Sequence, residues 1–329
     1  MKIYLSNPEG AHRAHVYQAK SINATIIPYT KFYSYIFKDI NVLTSEGFRP
    51  MLIGSALKKF GKVNMHINIL FGDFIVGIGK YYLFKNLLKE SLDYVDIFVV
   101  NSTFTSEIFL SNFGEKYKQK VDVCWPLPNI NLFSKVHSSL LKHENYNECK
   151  HGVRICYLGH LSYYDGADLL PKIFINLRRD FRNILMYVIG TGPLQAELLS
   201  VAKSLSEFKV LGYQPINVIL NIFSKCQFFI YPARFKPFGL PVVEAMATGL
   251  IPLVTVKTGA RDFVEKVNPN LVTPLDLKVF IGKISELITM NCASLKEISI
   301  KAREIALSWN KNTAEQHFLR IIKKRLSRD

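Results

Sequence analysis

Short apolar runs alternate with longer amphipathic stretches along the whole chain. In the first half the runs are "KIYLSN" (2–7), "ATIIPY" (24–29), "INVLTS" (40–45), "NMHINIL" (64–70), "DIFVVNS" (96–102) and "VDVCWPL" (121–127). Stretches with helical spacing lie between several of them, such as 15–21, 51–60 and 105–113. Runs this short and this uniformly apolar predict strands buried on both faces, in a parallel sheet covered by helices. Residues 129–151, "NINLFSKVHSSLLKHENYNECKH", are polar, contain no strand-like run and read as a linker. The pattern then restarts with "VRICYLG" (153–159), "ILMYVIG" (184–190), "FKVLGY" (208–213), "CQFFIYP" (226–232) and "IPLVTV" (251–256). The prediction is an α/β chain of two Rossmann-like, doubly wound domains, 1–150 and 151–305, with a last helical segment at 306–329. Ligands of such sheets sit at the carboxyl ends of the strands, so two sheets predict a site in a central cleft that they face.

Composition supports this picture and narrows the partners. A length of 329 residues, 49% of them hydrophobic, fits two domains with real cores. The opening "MKIYLSN" reads as a strand and not as a secretory leader. No apolar run reaches membrane-spanning length, so a cytoplasmic chain is expected. Cys124, Cys149, Cys156, Cys226 and Cys292 are dispersed without a CxxC pair, which fits reduced thiols, two or three of them in buried strands. Asp, Glu and His are too scattered to propose a metal site. The 42 basic and 26 acidic residues give a net charge of +16, which invites nucleic acid, an anionic membrane surface or phosphorylated substrates. The charge is spread over both halves, and no RNP motif, zinc finger or basic zipper is present, so nucleic acid is not an expected partner. The stretch "KYYLFKNLLKE" (80–90) has the composition of a helix lying on the inner face of an anionic membrane. It equally suits a core-facing helix with snorkelling lysines. The basic tail "IIKKRLSRD" reads as a solvated helix end.

Candidate chemistry gathers in the second half. Four strand ends there run into glycine-containing turns: "GHLSYYDG" (159–166), "GTGP" (190–193), "YPARFKPFG" (231–239) and "KTGA" (257–260). One such turn is weak evidence, since glycine also serves plain turns. Four at equivalent ends of one sheet form a constellation, because glycine lets backbone approach phosphate and a helix start offers free N–H groups. Gly239 precedes the helix "LPVVEAMATG", on which Glu244 stands among small apolar residues. A carboxylate in such surroundings is held for a purpose, such as accepting two ribose hydroxyls, or is salt-bridged.

These segments resemble the retaining family 4 glycosyltransferases of GT-B fold. The resemblance rests on "YLGHLSYYDGADLL", "VIGTGPLQAEL", "VLGY", "FFIYPARFKPFGLPVVEAMATGLIPLVT", "TGARDFV" and "LSWNKNTAEQHF", and more weakly on "GAHRAHVYQAKSI" and "DIFVVNSTFTSEIF". It implies transfer of a sugar from a nucleotide-diphosphate donor with retention, no metal or other cofactor, and no protein nucleophile. It also implies Glu244 on the donor ribose, backbone near Phe238, Gly239 and Leu240 on sugar and phosphate, and Gly10 approaching from the first domain. Donor-side positions His160, Gly190, Gly192 and Tyr213 fall on the matching turns. The last helix, near Trp309, is expected to cross back to the first domain. Asp73 is a candidate for orienting an acceptor hydroxyl, against the plain reading of a turn aspartate after Gly72. His15 and His66 read as packing residues.

The chain departs from the family pattern where charge matters most. Lys236 stands where the family has glutamate, His160 where it has arginine and Asp165 where it has lysine; Phe71 replaces a frequent histidine. Three readings are open. Lys236, with Arg234 and Lys257, replaces the cations lost at His160 and Asp165. Alternatively, Lys236 attracts an anionic sugar that a glutamate would repel. Or the chain has lost catalysis and serves as a nucleotide-sugar- or glycan-binding partner subunit. Lys236, Glu244 and Asp73 are the candidate catalytic set, and the acceptor is expected to be lipid-linked, a glycan or a protein.

Overall fold

The computed structural model describes residues 1–6, 16–35, 38–70, 85–142 and 152–326. The chain divides into two compact units, Met1–Leu127 with Asn310–Asp329, and Pro128–Trp309. Each contains one six-stranded sheet.

In the first unit the strands are β1 (Lys2–Ser6), β2 (Thr25–Pro28), β3 (Ile40–Glu46), β4 (Val63–Leu70), β5 (Ile97–Val100) and β6 (Val121–Val123). They pair in parallel in the order β2-β1-β3-β4-β5-β6. The apolar runs of the sequence mark all six, because strands covered on both faces are mainly apolar, although β3 and β4 also bury Thr44, Ser45, Glu46, His66 and Asn68. Two clusters fill one face, Ile3, Leu5, Leu43 and Leu57 at one end and Phe98, Val100, Phe109 and Tyr117 at the other. The helix Phe48–Lys59 closes onto this face through Gly54, where a Cβ would lie 2.3 Å from Nε2 of His66. His66 is fully buried and bonds Ser45 Oγ at 2.8 Å. Burial lowers its pKa to about 4, so it is neutral at physiological pH. Of the amphipathic 80–90 stretch, the structure describes a helix Lys85–Asp93 that buries Leu88 and Leu92 in the core, with Lys89 and Glu90 exposed. Residues 80–84 lie outside the described residues. The last helix, Lys311–Leu326, belongs to this unit: His317 Nε2 bonds Val123 O at 2.9 Å.

The second unit has β7 (Val153–Leu158), β8 (Ile184–Ile189), β9 (Phe208–Gly212), β10 (Phe228–Tyr231), β11 (Ile251–Thr255) and β12 (Val272–Thr273). Their order is β12-β11-β10-β7-β8-β9, again parallel. β12 is two residues long, too short to leave a periodic signal. The chain moves outward from β7 to β9 and then returns to the other side of β7 with β10, which makes the β7/β10 border the topological switch point.

The unit boundary falls before the polar stretch expected to be a linker. Residues 130–133 and 139–142 form short helices that belong to the second unit. Ser138 N–H donates to Thr248 O at 2.7 Å and Ser139 Oγ to Cys226 O at 3.0 Å. These bonds satisfy backbone groups of the second unit, and Ile130, Phe133 and Leu140 are buried, so the segment docks there. Four cysteines are described, all free and buried; Cys156 lies within a strand, Cys292 opens the helix Cys292–Ser308, and Cys124 and Cys226 sit beside strands. Among the described residues, no helix is long and apolar enough to cross a membrane.

Candidate functional site

The loops that leave the carboxyl ends of β7, β8, β9 and β10 are stitched to one another. Gly159 N–H donates to Ile189 O at 3.1 Å, Leu161 N–H to Thr191 O at 2.9 Å and Gly190 N–H to Gly212 O at 2.9 Å. Glycine is required here because backbone meets backbone. A Cβ on Gly190, whose φ is 136°, would lie 1.8 Å from Gly159 O, and one on Gly192 would lie 2.5 Å from Leu161 O. The same holds across the switch point, where a Cβ on Gly166 would lie 2.0 Å from Pro232 O. Beneath these loops Tyr157 and Tyr231 stack at 5.3 Å, both fully buried. Their hydroxyls point up into the β7 loop: Tyr157 Oη donates to His160 O at 2.9 Å and Tyr231 Oη to Asp165 Oδ1 at 2.7 Å.

Two ion pairs cross the switch point, each with its acid on the β7 loop and its base on the β10 loop. Lys236 Nζ lies 2.7 Å from Asp165 Oδ1. Arg234 is bidentate on Asp168, at 2.6 and 2.8 Å, donates to Tyr163 O at 2.8 Å and lies over the Tyr163 ring. Asp165 also accepts from Ser162 Oγ at 2.6 Å. Burial pushes the Asp165 carboxyl up, but the Lys236 charge and the bonds from Lys236, Ser162 and Tyr231 outweigh it and hold the pKa below the usual value. The hydrogen bonds to Asp168 raise the pKa of Arg234 further.

Arg234, expected near the donor phosphate, is thus ion-paired within the protein. Its fork is committed to Asp168, and it lines a cavity of about 260 Å³ with Leu169, Pro232, Thr255, Leu275 and Phe280. Lys236 is pinned but not closed off, with 29% of its side chain exposed. Of the three candidate cations, Lys257 is exposed and makes no ion pair among the described residues. Its carbonyl receives the Lys236 N–H at 2.9 Å, which ties the β10 loop to the turn after β11.

That tie sets the start of the helix Leu240–Ala247. Gly239 caps it in the left-handed region at φ 100°, and Pro241 follows in the first turn. Among the described residues the N–H groups of Gly239 and Leu240 have no acceptor. The Phe238 ring is buried edge-on to Phe263, and its carbonyl accepts from Ala260 N–H at 2.7 Å, so both fix the loop before the helix. Glu244 is half-buried on this helix, and its Oε1 accepts from Asn129 N–H at 3.2 Å. Burial raises its pKa while the Asn129 bond opposes the rise. The salt-bridged alternative does not occur among the described residues.

His160 and Tyr213 are exposed at the ends of β7 and β9, Tyr213 at 80%. The structure thus brings His160, Gly190, Gly192, Tyr213, Lys236, Gly239, Leu240 and Glu244 to the carboxyl edge of one sheet. Gly10, His15, Phe71 and Asp73 lie outside the described residues. Sequence reasoning missed Ser162, Tyr231 and Asp168 as supports. A signal was present: two acids three apart on one glycine turn face two bases two apart on another.

A model of the family described as "Glycosyl transferases group 1" matches residues 141–305. Soluble starch synthase 1 of Oryza sativa subsp. indica is 33% identical over 118 residues, 35% of this chain and 18% of that protein. The glycogen synthase of Petrotoga mobilis is 24% identical over 243 residues, 69% of this chain and 48% of that protein. The chain therefore spans only part of the length of the curated relatives it matches. Anabaena HepE, solved with UDP, superposes with a TM-score of 0.75 at 15% identity, covering 98% of this chain and 100% of that one. Sucrose-phosphate synthase of Thermosynechococcus elongatus superposes with a TM-score of 0.66 at 14% identity, covering 100% and 88%. These structures share the GT-B fold, with two Rossmann-like units. With its family model covering half the sequence, the chain belongs to the group 1 glycosyltransferases.

Proposed function

We propose that the chain transfers a sugar, with retention, from a nucleotide-diphosphate donor held at the carboxyl edge of β7–β10. The observation that carries this is the opening of the helix Leu240–Ala247, where two unclaimed N–H groups, the Lys236 ammonium and the Glu244 carboxylate share one loop and helix. Free N–H groups at a helix start favour an anion, and a lysine adds donors to phosphate. Glu244 would accept the ribose hydroxyls and the exposed Tyr213 ring would stack on the base. In this reading the protein supplies position and stabilises the charge of the departing diphosphate, without a protein nucleophile, metal or other cofactor. Solved relatives described as complexes with UDP-glucose and ADP support a nucleotide-sugar donor. The acceptor is proposed to be a glycan, a lipid-linked sugar or a protein, taken at the first unit, with a cytoplasmic setting that includes the membrane surface.

A partner subunit that binds donor without turnover is the second reading. It is favoured by one observation: Asp165 and Asp168 match the charges of Lys236 and Arg234, leaving less net positive charge than a diphosphate site of this kind would draw on. A thermal-shift screen of UDP-, GDP-, ADP- and dTDP-sugars on wild type, Lys236→Glu and Glu244→Ala tests donor binding, since a native-state ligand raises stability. The expected outcome is one donor that stabilises wild type and loses affinity for both variants. Sugar transfer by the same sample distinguishes enzyme from binding subunit. No stabilisation by any donor at millimolar concentration overturns the donor site.

A further inference from the structure

We propose that Asp165 is a positioning residue: it does not touch the donor, but fixes the Lys236 ammonium where the donor's diphosphate or sugar meets it. The proposal rests on the donor site described above. Asp165 is closed to ligands. It is 5% exposed, its Oδ2 takes Ser162 Oγ at 2.6 Å, and its Oδ1 takes both Tyr231 Oη and Lys236 Nζ at 2.7 Å. Its own placement is rigid. Asp165 N–H donates to Ser162 Oγ at 3.2 Å, and Tyr231 is fully buried between the rings of Tyr157 and Phe229.

Lys236 is held at both ends. Its N–H donates to Lys257 O at 2.9 Å and its carbonyl accepts from Gly259 N–H at 2.8 Å, so the backbone is anchored to the turn after β11. Its ammonium is anchored to Asp165 on the turn after β7. An unpaired lysine samples many rotamers and loses that freedom when it grips an anion. A pinned lysine has lost it already, and preorganisation of this kind tightens binding. An ammonium has three N–H donors. One is spent on Asp165, the others have no acceptor among the described residues, and 29% of the side chain is exposed. Because the counter-charge is internal, Lys236 acts as an oriented donor more than as a bare charge. The pair joins the two loops that border the switch point, the place where open α/β sheets bind ligands.

The test is a double-mutant cycle on donor Kd, read by calorimetry with whichever of the UDP-, GDP-, ADP- or dTDP-sugars most stabilises wild type. The proteins are wild type, Asp165→Asn, Lys236→Ala and the double variant. Asparagine keeps the shape and the acceptor for Tyr231 but removes the charge that holds Lys236. The expected result is a Kd weakened about tenfold by Asp165→Asn in wild type, and no further weakening when Lys236 is already alanine. Melting temperature reports any purely structural effect, which would appear in both backgrounds. Equal weakening of Kd in both backgrounds, or none in wild type, overturns the positioning role while leaving the donor site standing. Wild type that binds no nucleotide sugar overturns the donor site and this proposal with it.

Discussion

Replacing Lys236 by methionine removes one charge and keeps most of the side-chain bulk. In the native structure the Asp165 side chain is 7% exposed and has the ammonium at 2.7 Å. After replacement only the neutral hydroxyls of Ser162 and Tyr231 remain on the carboxylate. Breaking a buried ion pair by removing one partner costs about 3–5 kcal/mol. Lys236 is 29% exposed, so water screens part of this, and the two hydroxyls still solvate the carboxylate. A loss of about 1–3 kcal/mol at pH 7 is therefore expected, or roughly 3–10 °C in Tm for a unit of this size. The pH dependence carries the diagnosis. In wild type the folded pKa of Asp165 is depressed, so the pair stabilises above the unfolded pKa of about 3.9 and that stability is lost as pH falls through the folded pKa. Without Lys236 the desolvation of Asp165 loses its strongest opponent, its folded pKa rises, and protonation then relieves the variant. The stability gap between the two proteins should close as pH falls from 7 toward 3. Urea unfolding followed by circular dichroism across that range measures it. A gap that is absent at pH 7, or that stays constant with pH, refutes the pairing as described.

Two further outcomes check other parts of the structure. Gly190→Ala drives a Cβ to 1.8 Å from Gly159 O at a backbone φ of 136°; a loss of roughly 2–4 kcal/mol is expected in unfolding measurements, and an unchanged midpoint would show that the turns after β7 and β8 do not close as described. His66 is buried neutral with a pKa of about 4, below its unfolded value of about 6.5, so the unfolded state binds its proton first. Acidification from pH 6.5 to 4 should therefore cost the first unit roughly 3 kcal/mol, and His66→Asn should flatten that slope; a slope that survives the substitution would place the acid sensitivity elsewhere.

The strands were legible because a parallel sheet covered on both faces favours short, mainly apolar segments, and such segments stand out against helical spacing. Eleven of the strand positions follow from that signal, and β12, two residues long, does not. The glycine turns at the carboxyl ends of β7, β8 and β10 were legible too, but their reason was only half so. At Gly190, Gly192 and Gly166 the close neighbour is another loop's carbonyl, so the fold itself demands glycine there whatever the ligand. The unit boundary lies earlier than expected because 129–142 has no strand-like run to reveal it, while its docking depends on buried Ile130, Phe133 and Leu140 and on bonds from Ser138 and Ser139 to distant backbone.

By itself, then, the sequence determined the two sheets, the edge at which the glycine turns gather and the presence of an anomalous cation at Lys236. Periodicity and turn chemistry are local properties, readable within a dozen residues. Only the tertiary structure decided what that cation faces. Asp165 and Lys236 are separated by 71 residues along the chain and meet because β10 returns to the side of β7 that β8 leaves open. Arg234 finds Asp168 by the same topology. Which charges cancel and which remain for a ligand is a property of strand order, since ion pairing depends on distance in space and not along the chain.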